Sequence, residues 1–556
     1  MPDEIRGGFK ILANEVLQAA GETRDLLKKR DPAKSRDLYH RVSYVSTQVA
    51  LLQKQTMELL LAKPAGYKGS PWLRGISSIA SRLERISDIL LNLDKQAGFL
   101  KDPDFLKPFR ADDFFHEIIY GLGKIVPALE TGDVSLAIRL GQVEESLDTL
   151  YAERFGKIVA ELKSRGDGVD DLVTTLMIVH YLERVGDMLL EIGEKIIYVI
   201  MGEKIKLEQY KALGAGLKAT GQNLDLDRLA FKSIWGGRSG CRIGVAGMSG
   251  HAETADSHPA ETVLFKHGSA YKLSRERENL IRWSNLRPGL TPKVKAFVPA
   301  KAGGEAALIL EYVPARNLQS LFLENATEAA VEGLRKSVAI MTGLWRETMT
   351  RETSLAGFVR QAESKLNEAR SFYPHLVKFH GHIGGMEISP IAKLLEELRP
   401  MEARAFSDFS MTIHGDFNLS NVLYDPANEK VCVLDLYRSR KNDYVQDVSV
   451  MLVSILRLPV WDKRIRRGLT DAALMTREMA RDFALELRDE TFDLRLAYGL
   501  ARSFLTSTRF ILEEKTASVF VARARYILEK LRIFHRAGKP LESFGLSPEV
   551  LRLQIP

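Results

Sequence analysis

The sequence predicts a multidomain protein, with an all-α N-terminal part of two tandem three-helix bundles and an α+β C-terminal domain. Three observations lead to this fold class. The chain has 556 residues, which is more than one hydrophobic core ordinarily supports. Apolar residues recur at three- and four-residue spacing from about residue 5 to 202, as in amphipathic helices. Helical periodicity then stops, short strand-like runs begin, and helical patterns return after Asn325.

Composition restricts the class of protein. The chain is 45% hydrophobic and 27% charged, with a net charge of +7, which suits an anionic ligand such as a nucleotide but is weak evidence for nucleic acid, so we expect none. Two cysteines, Cys241 and Cys432, exclude a disulfide framework. The longest apolar runs, such as Val448–Leu456, are too short to span a membrane. We expect a cytoplasmic protein, with peripheral contact at the inner face of the membrane as an option.

Prolines and glycines divide the helical region. Polar residues that follow these breaks, such as Asp133 and Asp167, are typical N-caps. The breaks predict six helices of about 20 to 35 residues. They lie at Asp31-Pro32, Lys63-Pro64, Lys101–Pro103, Thr131–Asp133 and Arg165–Gly168.

The third and sixth helices carry a repeated motif. Leu83–Leu91 (LERISDILL) aligns with Leu182–Leu190 (LERVGDMLL) at an offset of 99 residues, so one three-helix unit is duplicated. Each copy places a Glu and an Asp at i and i+4, on one helical face. Such a pair repels unless a cation, a metal or solvent lies between the acids. From the pair alone, an exposed polar face beside Arg85 and Arg184 is the favoured interpretation.

The sequence of the second copy resembles that of a known family. Glu183-Arg-Val-Gly-Asp187, followed by Glu191 and by residues 197–203 (IYVIMGE), resembles the PhoU family of phosphate-signalling proteins. The resemblance covers roughly residues 5 to 205 and includes the duplicated three-helix architecture. In that family, acidic motifs on neighbouring helices jointly hold metal clusters.

The resemblance implies a metal site in the second repeat, because carboxylate-rich bundles suit hard or borderline cations. The first repeat keeps Glu84 and Asp88, but its preceding helix offers only Asp37 and Glu58, and Asn92 replaces the glutamate that follows the second motif. A solvated acidic face remains the alternative. The predicted ligands, from two successive helices, are Glu144, Asp148, Glu183 and Asp187.

The C-terminal domain is predicted to cover residues 226–556, after a polar, small-residue stretch between Gly214 and Asp225 that ends the helical domain at about residue 220. Its strongest motif is His414-Gly-Asp416, with Asn421 five residues after the Asp, and Asp435 at the end of the next strand. Kinase catalytic loops use this spacing. The first Asp orients the attacking hydroxyl, and the Asn and second Asp hold Mg²⁺ against the triphosphate.

Residues 228–540 resemble the aminoglycoside phosphotransferase, choline kinase and homoserine kinase group, most closely between 412 and 447. The resemblance implies a bilobal protein-kinase-like fold, with an N-lobe to about residue 315. It assigns Asp416 as catalytic base and Asn421 and Asp435 as Mg²⁺ ligands. His414 would support the loop, and so would Asp447. One departure is that Leu-Tyr follows Asp435.

The N-lobe elements are less sharply defined. Trp235–Gly240 (WGGRSG) contains Gly236, Gly237 and Gly240 and could bring backbone N–H groups to the phosphates. Lys266, on the predicted strand that begins at Val263, is the candidate phosphate-binding lysine. A surface lysine is the alternative. A helix near residues 272–284 offers Glu276 and Glu278 as partners for that lysine, and Glu278 is preferred. Residues 308–313 resemble the hinge strand that contacts a purine.

These motifs and resemblances predict a Mg²⁺-dependent kinase, with ATP or GTP as donor and an unknown hydroxyl acceptor, fused to a module that links it to phosphate homeostasis. The competing class is a non-enzymatic regulator whose kinase-like fold only binds nucleotide or a partner. Antibiotic resistance is a third possibility, which the fused helical module makes less favourable. Expected partners of the helical module are a membrane phosphate transporter or a sensor kinase, and a homodimer is an option.

Overall fold

The computed structural model describes residues 2–64, 67, 69–164, 168–221, 229–234, 241–248, 262–300, 304–383, 386–511 and 513–552. The chain divides into two compact units. The first comprises Met1–His267 with Val298–Ala300, and the second Gly268–Phe297 with Lys301–Pro556. The predicted domain boundary near residues 220–226 stays a prediction, because residues 222–228 lie outside the described part of the chain.

The first unit begins with a series of long helices, as the apolar periodicity predicts. Their ends fall at the predicted breaks. A shorter helix, α7, follows them and was not predicted. The helices are α1 (Asp3–Lys28), α2 (Pro32–Leu61), α3 (Ser70–Ala97), α4 (Ala111–Thr131), α5 (Val134–Ser164), α6 (Val169–Met201) and α7 (Leu207–Ala219).

Capping residues set several of these ends. The Asp31 carboxylate accepts a hydrogen bond from Ala33 N at 2.9 Å at the start of α2. At the start of α5, Ser135 N donates to Asp133 Oδ1 at 2.7 Å, as predicted for an N-cap. Gly202 ends α6 in the left-handed region, with φ of 76°, which glycine adopts without a Cβ clash. Asp167 lies outside the described residues.

The duplicated three-helix architecture is confirmed. Helices α1, α2 and α3 pack on one another, α4, α5 and α6 do the same, and α3 also packs on α6. Buried leucines and isoleucines line these contacts, among them Leu83, Ile86 and Leu182. Helices α5 and α6 approach closely at Gly186, where an added Cβ would lie 3.0 Å from Leu147 Cδ1. That close approach brings the predicted acidic motifs of α5 and α6 towards each other.

After its helices, the first unit continues with three antiparallel strands. These strands are β1 (Leu229–Ile234), β2 (Arg242–Met248) and β3 (Val263–Ser269), the last of which ends in the second unit. Strand β1 pairs with β2 in the register Leu229↔Met248 to Ile234↔Ile243. Strand β2 pairs with β3 from Arg242↔His267 to Ala246↔Val263. The predicted glycine turn at residues 235–240 lies outside the described residues.

The second unit combines strands with a large helical part, as expected for the C-terminal domain. Among the described ranges, no helix of the chain is long and apolar enough to cross a membrane. The helices are α8 (Ala270–Leu286), α9 (Leu318–Leu323), α10 (Thr327–Thr348), α11 (Phe358–Phe372), α12 (Pro374–Lys378), α13 (Ile391–Arg404), α14 (Val445–Leu456), α15 (Lys463–Glu486), α16 (Phe492–Thr508) and α17 (Glu514–Arg536).

Strands β9 and β10 border the loop that carries the His-Gly-Asp motif, and β12 pairs with β9. Strands β10 and β11 form the predicted hairpin, paired from Val422↔Val433 to Asp425↔Lys430. In its turn, Ala427 N donates a hydrogen bond to Asp425 Oδ1 at 3.0 Å. The strands are β4 (Val294–Val298), β5 (Glu305–Glu311), β6 (Arg316–Asn317), β7 (Gly381–Ile383), β8 (Met386–Ile388), β9 (Met411–Ile413), β10 (Val422–Asp425), β11 (Lys430–Val433) and β12 (Arg440–Asn442).

Candidate active site

The loop that carries the His-Gly-Asp motif connects β9 to β10. Its glycine, Gly415, has φ of 83°, a left-handed conformation that other residues adopt at a cost. A Cβ at this position would lie 2.5 Å from the carbonyl oxygen of Arg438. The glycine is therefore required both by its backbone conformation and by the close approach of the segment that follows β11.

Asp447 on helix α14 fixes the backbone of this loop through hydrogen bonds. Its two carboxylate oxygens accept hydrogen bonds from His414 N at 2.7 Å and from Gly415 N at 2.8 Å. The side chain is fully buried, and burial raises the pKa of Asp447 to about 7, although both backbone donors favour the ionised form. Gln446 Nε2 also donates to Gly415 O at 3.1 Å. Asp447 thus has the supporting position that the family resemblance implies.

His414 is a supporting residue of the same loop. Its ring is fully buried, and burial lowers the pKa of His414, so the ring is neutral. Nδ1 accepts a hydrogen bond from Asp416 N at 3.3 Å, while the edge of the ring meets Trp283 with centroids 6.0 Å apart. A neutral ring in this position fixes the backbone of Asp416.

The Asp416 carboxylate is oriented by two side chains. Asn418 Nδ2 donates to Oδ1 at 3.2 Å, and Arg438 Nη1 donates to Oδ2 at 2.9 Å. The side chain of Asp416 is 25% exposed, so a ligand can reach it. Arg438 was not among the residues predicted from the motif. Its position three residues after Asp435, where the chain departs from the family pattern, is the signal that could have identified it.

Asn421 and Asp435 are brought next to Asp416. Asn421 Nδ2 donates to Asp416 O at 3.0 Å, which leaves its Oδ1 as an acceptor. Leu434 N donates to Asn421 O at 2.9 Å, so the end of β11 lies beside the loop. Asp435 has φ of 63°, a left-handed conformation that aspartate tolerates better than most residues. A carboxylate and an amide oxygen, both suited to Mg²⁺, thus lie on adjoining segments beside Asp416.

Helix α8 is fixed to the segment after Asp435. Asn279 Nδ2 donates to the carbonyl oxygens of Leu436 at 2.7 Å and Ser439 at 3.2 Å. Trp283 Nε1 donates to Ser439 Oγ at 2.8 Å, and that hydroxyl donates to Ile413 O at 2.7 Å. Helix α8, the loop between β9 and β10 and the segment 436–439 are therefore joined by one network of hydrogen bonds. No sequence pattern predicted these contacts, because each joins residues more than 25 positions apart.

The predicted nucleotide-binding residues differ in their surroundings. Lys266 is 5% exposed on β3, which argues against an ordinary surface lysine. Glu278, the preferred partner, is exposed, whereas Glu276 is only 2% exposed. Both glutamates remain candidates, and the pairing of Lys266 with Glu278 stays a prediction. Gly236, Gly237 and Gly240 lie outside the described residues.

The four predicted acids of the helical unit are close enough to perturb one another. Burial, with the charges of Asp148 and Asp187, raises the pKa of Glu144 to about 7. Burial and Asp187 also raise the pKa values of Asp148 and Glu183. No group of three or more His, Cys, Asp or Glu side chains is placed to hold a metal within the described ranges. The metal site stays a prediction that requires the carboxylates to move together.

The first repeat differs in its polar contacts. The Ser46 hydroxyl donates to Glu84, and burial together with Glu84 raises the pKa of Asp88. Glu191, which follows the second motif, accepts a hydrogen bond from Arg82 Nε of the first repeat at 2.9 Å. Glu191 therefore joins α6 to α3.

Comparison with known families gives two matches. The model of the phosphotransferase enzyme family (APH) matches residues 263–482, and the PhoU domain model matches residues 120–196. A phosphate-specific transport system accessory protein PhoU homolog of Borreliella burgdorferi is 30% identical over 141 residues, which cover 24% of this chain and 62% of that protein. PhoU homolog 1 of Methanothermobacter thermautotrophicus is 22% identical over 205 residues, covering 36% of this chain and 93% of that protein. The chain thus spans less than two thirds of the Borreliella relative.

Solved structures similar to parts of the chain fall in the same two groups. PhoU from Streptococcus pneumoniae matches with a TM-score of 0.33 and 21% identity, over 36% of this chain and 96% of that protein. The apo form of a thermostable mutant of aminoglycoside phosphotransferase APH(4)-Ia matches with a TM-score of 0.34 and 15% identity, over 59% and 100%. Aminoglycoside phosphotransferase APH(3'')-Id from Streptomyces rimosus matches with a TM-score of 0.31 and 17% identity, over 57% and 97%.

Proposed function

We propose that this chain, which joins a PhoU domain in its N-terminal half to an APH phosphotransferase domain in its C-terminal part, is a Mg²⁺-dependent kinase that phosphorylates a hydroxyl group. The observation that carries the proposal is the convergence of Asp416, Asn421 and Asp435 on a loop whose backbone is held by Asp447. A loop kept only for structure does not need this set of oxygen ligands beside an exposed carboxylate.

In the proposed reaction Asp416 is the base. The acceptor oxygen forms a bond to the γ-phosphorus of ATP or GTP while the bond from that phosphorus to the bridging oxygen breaks. The nucleoside diphosphate leaves, and the hydroxyl proton passes to Asp416. Asn418 and Arg438 fix the carboxylate, and a fixed carboxylate needs no reorganisation as the proton moves.

The residues that would hold Mg²⁺ fit the ion. Asn421 Oδ1 is left as an acceptor by the hydrogen bond that its amide nitrogen donates, and Asp435 supplies a carboxylate from the adjoining segment. Both are hard oxygen ligands of the kind Mg²⁺ prefers. The bound ion would neutralise charge on the transferring phosphoryl group. Lys266 is the proposed phosphate-binding cation.

We place the helical domain in phosphate homeostasis because its relatives are named as accessory proteins of phosphate-specific transport systems. A membrane phosphate transporter or a sensor kinase is its proposed partner. The competing proposal is a regulator that binds nucleotide without turnover. Mg²⁺-dependent transfer of the γ-phosphate to any acceptor, followed with radiolabelled ATP, supports the kinase. Tight Mg²⁺–ATP binding with no transfer to a broad acceptor panel supports the regulator instead.

The metal site of the helical domain is tested by paired substitutions. In the full chain loaded with Mn²⁺ or Fe³⁺, Glu183→Gln/Asp187→Asn is expected to weaken the affinity for the metal by at least about tenfold, because the proposed cluster loses two of its four charged ligands. Glu84→Gln/Asp88→Asn, the equivalent pair of the first repeat, is the matched control and should retain the metal. Elemental analysis after gel filtration measures both. Equal metal content in all three proteins would refute the site.

The pH dependence of stability gives a second test of the same acids. The pKa of Glu144 is raised from about 4.5 to about 7 in the folded protein, so the folded state binds this proton more tightly than the unfolded state. The contribution to the free energy of unfolding is complete below about pH 4.5 and is lost as the pH rises to about 7. With chelator present, the melting temperature should therefore fall across this window. Glu144→Gln should flatten that fall in melting temperature. Glu58→Gln, which changes an exposed side chain of α2, should not. A flat wild-type profile would contradict the prediction.

A further inference from the structure

Arginine side chains from separate elements gather around the Asp416 carboxylate. Arg438 donates directly to Asp416 Oδ2 at 2.9 Å. Arg440 follows on β12, and Arg502 comes from α16. The pKa of Arg502 falls to about 10, chiefly through burial; the charges of Arg438 and Arg440 also lower it, whereas those of Asp416 and Asp447 raise it. Three like charges are thus close enough to interact beside the proposed base.

Two further arginines extend the group. The pKa of Arg440 is lowered by burial and then by Arg275 of α8 and Arg360 of α11. Arg275 donates to the Tyr271 hydroxyl at 3.0 Å, a neutral acceptor that does not offset its charge. Holding five cations, from β12, three helices and the segment after Asp435, near one another is unfavourable unless anions offset their charge.

Arg502 gives an independent indication of such an anion. It is 8% exposed, and its Nε and Nη2 have no hydrogen-bond partner among the described residues. Its guanidinium packs over the Phe358 ring at 5.3 Å. The carboxylates whose charges act on it are Asp416 and Asp447, and both oxygens of Asp447 already accept backbone hydrogen bonds. A buried guanidinium with unused donors is costly and marks a place for an acceptor atom.

Carboxylates offset part of this charge, since Asp416 and Asp435 both favour the charged form of Arg438 and raise its pKa. Glu402, near Arg360, accepts hydrogen bonds from Val359 N at 3.2 Å. Asp435 is the proposed Mg²⁺ ligand, and Asp416 accepts from Arg438 alone among these arginines in the described contacts. Arg502 nevertheless keeps donors that no described residue accepts.

We propose that the acceptor of the phosphotransferase is an anionic hydroxyl compound, one that carries a phosphate group or a carboxylate, and that Arg440 and Arg502 bind its anion beside Asp416. The inference rests on the proposed function and names its substrate class. A guanidinium presents paired N–H groups that match the oxygens of phosphate and carboxylate. The same arginines repel a cationic amino sugar.

The test uses the full chain saturated with Mg²⁺ and a non-hydrolysable ATP analogue, so that the donor site is filled before any probe is added. The probes are inorganic phosphate and a series on one skeleton: glycerol 3-phosphate, glycerate, glycerol and the cation 3-amino-1,2-propanediol. At equal ionic strength, binding is measured by calorimetry and by the shift in melting temperature. We expect the anions to bind more tightly than glycerol and the cation to bind least. The relative affinities of glycerol 3-phosphate and glycerate distinguish a phosphate from a carboxylate.

Substitutions locate the anion. Arg440→Gln should weaken anion binding by about tenfold, equivalent to ~1.4 kcal/mol. Arg335→Gln, on the exposed face of α10 beside Glu332, is the matched control and should bind as the wild type does. Arg502→Met tests the buried donor in a protein whose folding is first confirmed by circular dichroism.

The outcomes separate the two proposals. Equal or tighter binding of glycerol or of the cation, no binding of any anion, or unchanged anion affinity in Arg440→Gln overturns the anionic acceptor and leaves the kinase proposal standing. Failure to bind Mg²⁺–nucleotide, which is measured before the probes are added, refutes the kinase itself.

Discussion

Asp416→Asn is expected to slow phosphoryl transfer by about 10²–10⁴-fold, the usual contribution of a positioned base. The amide cannot take the acceptor proton. It also places an N–H donor or a weaker acceptor opposite Arg438 Nη1, which now donates to Oδ2 at 2.9 Å. Nucleotide affinity should change little, because Asp416 acts on the acceptor and is not a proposed Mg²⁺ ligand.

The measurement is the initial rate of transfer at saturating Mg²⁺–ATP, with nucleotide affinity determined separately. Asp471→Asn, on the exposed face of α15 in the same unit, is the matched control and should retain the wild-type rate. An Asp416→Asn protein that turns over a proven acceptor at the wild-type rate would remove Asp416 from the mechanism.

Asp435 should instead affect nucleotide binding. Because its carboxylate is a proposed Mg²⁺ ligand, Asp435→Asn and Asp435→Ala are both expected to weaken Mg²⁺–nucleotide binding by at least about tenfold, ~1.4 kcal/mol. The two variants should differ in stability. Asp435 has φ of 63°, and asparagine tolerates this conformation, whereas alanine loses about 1 kcal/mol in the left-handed region.

Titrations with nucleotide in the presence and absence of Mg²⁺ separate the effects. The loss in both variants should appear only with Mg²⁺, and only Asp435→Ala should also lower the free energy of unfolding in denaturant. If both variants keep the wild-type Mg²⁺-dependent affinity, Asp435 does not hold the ion, and the left-handed backbone at this position serves the loop alone.

Local signals were enough to predict the helices and the hairpin that follows the His-Gly-Asp motif. Pro32 at the start of α2, Gly132 before α5 and Gly202 after α6 act on the backbone of their own neighbours, so their effect is visible in the sequence. The Asp416–Asn421 spacing likewise describes one short loop. The exception is α7, where the small residues that begin at Gly214 suggested a linker. Both Gly214 and Gly216 are buried in this helix.

Only the tertiary structure decided which side chains meet across the chain. The sequence by itself placed Asp416, Asn421 and Asp435 in one motif, but it did not show that Arg438 donates to Asp416 or that the charge of Asp416 acts on Arg502 of α16. Nor did it show that Glu276 is buried and Glu278 exposed. The physical reason is that burial and charge proximity depend on residues tens to hundreds of positions away. Helix periodicity and motif spacing carry no information about those residues.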